Sequence, residues 1–95
     1  MVNTKAKGRR LEWLVKKTFQ DSGHFVARQA ASRFPDLIVL RKGEAPTFIE
    51  CKSGKANIST AERAAAKKLI ETTGGTFVVA RKKDSKEIEY EVIEP

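Results

Sequence analysis

Cysteine and histidine are almost absent from this sequence, which has one of each, Cys51 and His24. A single thiol forms no internal disulfide, and without neighbouring histidines or cysteines it is a poor zinc ligand. A Ser/His/Asp triad or a histidine metal cluster requires His24, which its SGHF context favours as a polar loop residue. We therefore expect neither a disulfide scaffold nor a zinc site, and the composition fits the reducing cytoplasm.

Long apolar runs are also missing. No stretch approaches the length of a membrane span, and the basic start MVNTKAKGRR has no apolar run behind it. We expect an unexported protein with no membrane partner. The 95 residues are 40% hydrophobic and 33% charged, as in ordinary globular proteins. A chain of this length builds one modest core, so we predict a single domain over residues 1–95.

Acidic residues are scarce in the first half of the chain. Residues 1–42 hold ten Lys/Arg and three Asp/Glu, whereas residues 43–95 hold nine of each, which places the whole net charge of +7 in the first half. A one-sided basic excess is typical of a protein that binds a polyanion, because phosphates release counterions on binding. Solubility is the alternative explanation.

Apolar spacing and turn residues predict seven elements in the order α-β-β-β-α-β-β. A helical stripe that contains Leu11, Val15 and Phe19 indicates the first helix, and continuous β-forming runs separated by Gly43 and Pro46 indicate a hairpin. Ser59 or Thr60 caps the second helix, which ends at Gly74-Gly75. The predicted ranges are 9–20, 24–30, 36–40, 47–51, 59–72, 76–80 and 87–94, the last as a charged, half-exposed edge strand.

The hairpin brings charged side chains together. A turn centred on Gly43 and Glu44 pairs residues whose numbers sum to about 87, which sets Asp36 beside the stretch 50–52. Side chains alternate across a strand, so Phe48, Glu50 and Lys52 share one face. Ile49 and Cys51 share the other, and Cys51 is predicted to pack in the core.

Two facing carboxylates repel each other unless something neutralises them. A hard divalent cation such as Mg²⁺ or Mn²⁺ does so, since it prefers oxygen ligands and keeps several waters. Lys52 on the same face can stabilise charge or orient a water that attacks a phosphodiester. The alternative is that Asp36 begins a strand after Pro35, and that Glu50 and Lys52 form an exposed ion pair of little energetic weight.

Pro35-Asp36, Glu50-Cys51-Lys52 and the element order resemble the PD-(D/E)XK nuclease superfamily, in particular the small archaeal Holliday junction resolvases. Lys7-Gly8 followed by Glu12 is similar to the opening of those resolvases, and Arg28 through Ser32 is similar to a segment in which an arginine and a serine flank the active site. The resemblance covers about residues 5 to 82. It implies an α/β, restriction-endonuclease-like fold, a mixed central sheet flanked by helices.

The resemblance also implies a site and partners. Mg²⁺, for which Mn²⁺ can substitute, is held by the carboxylates of Glu12, Asp36 and Glu50 and by the carbonyl of Cys51. Lys52 helps to activate the attacking water, and Ser32 flanks the active site. The implied protein is a homodimer that nicks paired strands of a four-way DNA junction. On the residues alone, Glu12 can instead pair with Lys16.

Two positions depart from the resolvase pattern. Only Arg33-Phe34 separates Ser32 from Pro35, a shorter loop than the family has. The second helix carries Glu62 where the resolvases tend to have glutamine, and we interpret this carboxylate as favouring the helix N-terminus rather than binding metal.

We predict from these features a metal-dependent, structure-selective DNA endonuclease. The alternatives are another nuclease of the superfamily that acts on flaps, single strands or duplex, and a non-catalytic basic nucleic-acid-binding module. Trp13 lies off the apolar stripe and is predicted to pack under a loop or at a subunit interface, with stacking on a base as a less favoured alternative. The candidate phosphate contacts are basic residues before or beside the site: Lys5, Lys7, Arg9, Arg10, Arg28, Arg33, Arg41, Lys42 and Lys55.

Overall fold

The computed structural model describes residues 4–30, 33–54, 56–82 and 87–95, and for residues 4–8 the backbone only. The element order is the predicted one, α-β-β-β-α-β-β. The helices are α1 (Thr4–Asp21) and α2 (Thr60–Thr73), and the strands are β1 (Phe25–Arg28), β2 (Leu37–Leu40), β3 (Thr47–Ser53), β4 (Thr76–Lys82) and β5 (Glu89–Ile93).

The strands form one mixed sheet in the order β1-β2-β3-β4-β5. β3 and β4 are parallel and are connected through α2, whereas all the other neighbours are antiparallel. A parallel pair needs a crossover, and a helix that buries one side against the sheet supplies it. The predicted fold class is confirmed.

Most element bounds differ from the predicted ones by a few residues, and α1 differs most. It begins at Thr4 rather than at residue 9, because good helix formers precede Gly8 and the helix continues through this glycine. β3 continues to Ser53, so Glu50 and Lys52 both lie inside a strand that is paired with β4. The predicted edge strand is confirmed as β5.

The ends of α2 are defined by local hydrogen bonds. Ser59 is the N-cap, and its hydroxyl accepts the Glu62 N–H at 3.1 Å while the Glu62 carboxylate accepts the Ser59 N–H at 2.9 Å. Gly74 ends the helix in the left-handed conformation, with φ 70°, and its N–H donates to the Ile70 carbonyl. Both caps agree with the sequence prediction.

Each face of the sheet is covered by one helix, which gives two apolar clusters. Alternation along β3 sends Ile49 and Cys51 toward α1 and Phe48 toward α2, so the prediction that Cys51 packs in the core is confirmed. The cluster under α1 consists of Leu11, Val15, Val26, Leu37, Val39, Ile49, Val78 and Ala80. The cluster under α2 consists of Phe48, Ile58, Ala66, Phe77, Val79 and Ile93.

His24 lies in the loop between α1 and β1. Its ring meets that of Phe19 edge-on at 5.6 Å, and its Nδ1 lies 3.3 Å from the Phe19 carbonyl. These contacts agree with the interpretation of His24 as a loop residue. Neither helix, over the part of the chain described, is long and apolar enough to cross a membrane.

Candidate active site

The register of β2 and β3 brings the predicted acidic residues together. Leu37 pairs with Ile49 and Ile38 pairs with Phe48. The numbers of paired residues therefore sum to one less than the predicted value of about 87. Continued by one residue, this register sets Asp36 opposite Glu50. The Asp36 N–H donates to Oε1 of Glu50 at 3.1 Å, and Oδ2 of Asp36 accepts the Cys51 N–H at 2.9 Å. The predicted juxtaposition of Asp36 and Glu50 is confirmed.

Both carboxylates lie in surroundings that disfavour their charge. The Glu50 side chain belongs to a residue that is only 7% exposed, and burial together with the nearby Asp36 carboxylate raises the pKa of Glu50 to about 8. Burial also raises the pKa of Asp36, although the Cys51 N–H opposes the shift. The raised pKa values mean that the negative form of each acid is disfavoured here. A bound cation that neutralises both carboxylates therefore binds favourably.

Lys52 extends its ammonium to two carboxylates. Its Nζ lies 3.4 Å from Oε2 of Glu50 and 3.3 Å from Oε1 of Glu62. Burial lowers the pKa of Lys52, but Glu50 and Glu62 outweigh burial and the net shift is upward. The ammonium therefore stays charged beside the acid pair. The side chains of Glu50 and Lys52 are mostly buried, unlike the exposed ion pair of the alternative interpretation.

Glu62 contributes to this site in a way that the sequence did not predict. Its role at the helix N-terminus is confirmed, but its carboxylate also contacts Lys52. Burial raises the pKa of Glu62, but the Ser59 N–H and Lys52 together lower it by more, so the net shift is downward. A glutamate three residues after a cap signals a capping box, but its contact with Lys52 depends on where α2 begins relative to β3.

Glu12 extends from α1 toward the end of β1. Its Oε2 accepts a hydrogen bond from Nε of Arg28 at 2.6 Å, so Glu12 pairs with the end of β1 rather than with Lys16. Burial is the main cause of the upward pKa shift of Asp36, and the Glu12 charge adds to it. Arg28 is half exposed, and its pKa is raised by Glu12.

Several other predicted residues lie on the surface or outside the described residues. Arg9, Arg10 and Arg33 are exposed, and Arg41 pairs with Glu44 in the hairpin turn at 3.3 Å. Trp13 is 59% exposed and carries the Lys17 ammonium over its ring at 5.9 Å. It lies off the buried stripe as predicted, but it does not pack under a loop. Ser32, Lys55 and the side chains of Lys5 and Lys7 lie outside the described residues.

The oxygen donors suit a hard divalent cation. Within residues 9–30, 33–54, 56–82 and 87–95, no three His, Cys, Asp or Glu side chains form a metal-binding group. Asp36 and Glu50 are the carboxylates that the hairpin brings together, while Glu12 is directed toward Arg28. Two carboxylates suit Mg²⁺, which keeps several of its waters and is commonly bound by one or two acids.

A mixed sheet whose β2–β3 hairpin carries an acid pair, with a lysine two residues after the second acid, defines the PD-(D/E)XK class of nucleases. Comparison of the chain with known protein families and solved structures agrees with this class and identifies a family within it. The family model for archaeal Holliday junction resolvases (Hjc) matches residues 3–95, so the chain belongs to that family.

The fold resembles that of a solved Hjc. The Hjc of Archaeoglobus fulgidus, a Holliday junction resolvase from an archaeal hyperthermophile, superposes with a TM-score of 0.76 at 22% sequence identity. The match covers 92% of this chain and 73% of that one. A comparison with curated proteins returned no match.

Proposed function

We propose that this protein is a Mg²⁺-dependent endonuclease that resolves four-way DNA junctions by hydrolysing phosphodiester bonds. The observation that carries the proposal is the Asp36–Glu50 pair next to the Lys52 ammonium, in a chain of the Hjc family. Family membership favours junction resolution over the flap, single-strand and duplex activities of other nucleases in the superfamily.

The proposed roles follow from charge and position. Asp36 and Glu50 would hold the metal with the Cys51 carbonyl, and Glu12 would support them from α1. A bound Mg²⁺ (or Mn²⁺ in its place) neutralises phosphate charge and lowers the pKa of a coordinated water. Lys52 orients the attacking water and stabilises the negative charge that develops on the phosphate. Ser32 is also proposed to take part in catalysis.

DNA recognition is proposed to rest on charge and backbone shape, with few base contacts. The exposed guanidinium groups of Arg9, Arg10 and Arg33 support this part of the proposal, because they lie in the half of the chain that holds the net charge. Arg28 is half exposed beside Glu12 and can offer its remaining N–H groups to a phosphate. Lys5, Lys7 and Lys55 complete the proposed contact set.

We also propose a homodimer, since the symmetric resolution of a junction requires two active sites. An uncovered apolar surface supports this proposal. Phe25 pairs with Leu40 across β1 and β2, and both are exposed. Their neighbours Val26 and Val39 point toward α1, so Phe25 and Leu40 face the side of α2, which lies against β4 and β5 instead. Sedimentation tests the dimer, and a wild-type monomer at assay concentrations would contradict it.

The deciding experiment compares cleavage of a synthetic four-way junction with cleavage of flap, single-stranded and linear duplex DNA, with and without Mg²⁺. We expect Mg²⁺-dependent nicking of the junction, and its loss in Asp36→Asn, Glu50→Gln and Lys52→Ala. Glu44→Gln, which removes an exposed acid from the hairpin turn, is the matched control and should keep full activity.

Three other results of the cleavage experiment would contradict different parts of the proposal. Full activity in the Asp36, Glu50 or Lys52 variants would refute the proposed site. Preferential cutting of flaps or duplex would indicate another activity of the superfamily. Junction binding without any cleavage in Mg²⁺ or Mn²⁺ would indicate a non-catalytic binding protein.

A further inference from the structure

The Glu62 carboxylate makes two sets of contacts. Oε1 accepts the backbone N–H of Ser59 at 2.9 Å, which closes the capping box of α2. Both oxygens also lie 3.3 Å from Nζ of Lys52 on β3. One side chain thus connects the start of α2 to the lysine of the proposed site.

The capping box by itself does not require a charge at this position. Glutamine serves equally as the third residue of a capping box, because the Ser59 N–H needs an acceptor oxygen and not a carboxylate. The charge of Glu62 also favours the positive end of α2, but its contact within the proposed site is the ammonium of Lys52.

The position of the ammonium shows what this charge does. Nζ of Lys52 lies 3.4 Å from Glu50 and 3.3 Å from Glu62, and the Lys52 side chain is 20% exposed, so both carboxylates attract one largely buried cation. Without the charge of Glu62, the ammonium would be drawn toward Glu50 alone. A carboxylate that is neutralised by an ammonium is a poorer ligand for a metal ion, because the two cations repel each other.

We propose that Glu62 is a positioning residue that shares the Lys52 ammonium with Glu50 and so keeps Glu50 available to a divalent cation. The proposal rests on the proposed function of the site and adds a residue from α2 to it. In this proposal Glu62 acts through Lys52 and is not itself a metal ligand.

Two variants separate positioning from capping. Glu62→Gln keeps an acceptor for the Ser59 N–H but removes the ion pair with Lys52. Ser59→Ala removes the hydroxyl that accepts the Glu62 N–H and leaves the charge of Glu62 in place. The Mg²⁺ affinity of each is measured twice, from the Mg²⁺ concentration for half-maximal junction cleavage and from the Mg²⁺-induced rise in Tm.

We expect Glu62→Gln to weaken Mg²⁺ binding by about tenfold, the usual effect of losing a group behind a metal ligand. Its metal-free Tm should fall by less than that of Ser59→Ala, and its junction affinity without Mg²⁺ should not change. Ser59→Ala should lower the Tm but leave the Mg²⁺ affinity as in the wild type. Unchanged Mg²⁺ affinity in Glu62→Gln would overturn the proposal and leave Glu62 as a helix cap.

A second measurement does not depend on cleavage. In the metal-free protein, urea unfolding of Lys52→Met, Glu62→Gln and the double variant forms a double-mutant cycle. We expect the unfolding constant of the double variant to differ by about two- to fivefold from the product of the single effects, as for partly exposed ion pairs. Strict additivity would refute the contact. An inactive wild type would refute the proposed function, and the cycle and the Mg²⁺-induced Tm rise would still test Glu62.

Discussion

Asp36 and Glu50 are joined across β2 and β3 by a hydrogen bond from the Asp36 N–H to the Glu50 carboxylate, at 3.1 Å. Asp36 in turn accepts the N–H of Cys51, the residue after Glu50, at 2.9 Å. The backbone therefore holds two carboxylates together although their charges repel.

The metal-free protein should lose stability as the pH rises from about 4.5 to about 8. The pKa of Glu50 in the fold is raised to about 8 from an ordinary value of 4.5, so the folded state binds the Glu50 proton more tightly than the unfolded state does. That stabilisation is complete below the ordinary value and is lost as the pH rises through the raised one. Urea unfolding across this range measures the loss, and Glu50→Gln should flatten it. An equally steep loss in Glu50→Gln would assign the effect to another group.

Adding Mg²⁺ at pH 8 should restore stability, because a ligand that binds only the folded state stabilises it. At about 100 times its Kd the gain is about 2.7 kcal/mol. Thermal unfolding with Mg²⁺ and with excess EDTA measures this gain. The double variant Asp36→Asn/Glu50→Gln should show no Mg²⁺-dependent shift, whereas Glu44→Gln should behave as the wild type does. A shift that persists in the double variant would locate the metal elsewhere.

Removing two charges from α1 should weaken junction binding in a salt-dependent way. Arg9→Ala/Arg10→Ala should reduce the slope of log K against log salt by about 2 if both residues contact phosphates, since each contact contributes about 0.9. Lys67→Ala/Lys68→Ala removes the same charge from the exposed side of α2 and is the matched control. Binding titrations at several salt concentrations without Mg²⁺ provide the slopes. Equal slopes for the two variants would show that Arg9 and Arg10 contribute no more to phosphate binding than the lysines of α2.

Gly75→Ala should destabilise the fold more than an alanine at an open glycine. A Cβ at Gly75 would lie 2.3 Å from the carbonyl oxygen of Pro46, a backbone atom that accepts the N–H of Thr76 at 3.0 Å. Overpacking of this kind costs about 1–3 kcal/mol, and more where backbone must move. Gly43→Ala, in a turn with φ 81° and open space around it, should cost about 1–2 kcal/mol from its backbone conformation alone. Urea unfolding compares the two, and an equal or smaller loss for Gly75→Ala would contradict this contact.

Local spacing along the chain was sufficient to predict the hairpin and its acid pair. The turn residues between positions 40 and 47 determine which residues oppose each other, and alternation determines the face, so Asp36, Glu50 and the burial of Cys51 could be predicted without coordinates. The capping residues Ser59 and Gly74 were predictable for the same reason, since a cap depends on a few adjacent residues. The start of α1 was not, because Gly8 weakens the helical pattern before residue 9 but does not interrupt the helix.

The partners of the long charged side chains depended on how the helices pack on the sheet. Glu12 has Lys16 one turn away on its own helix, yet it pairs with Arg28 because α1 lies across β1. Glu62 contacts Lys52 because α2 begins near the end of β3. Such pairs join residues that are 10 or 16 positions apart in the chain, and their geometry is set by the apolar clusters between helix and sheet. No local pattern encodes that distance, so only the packed fold determined which carboxylates reach Lys52 and Arg28.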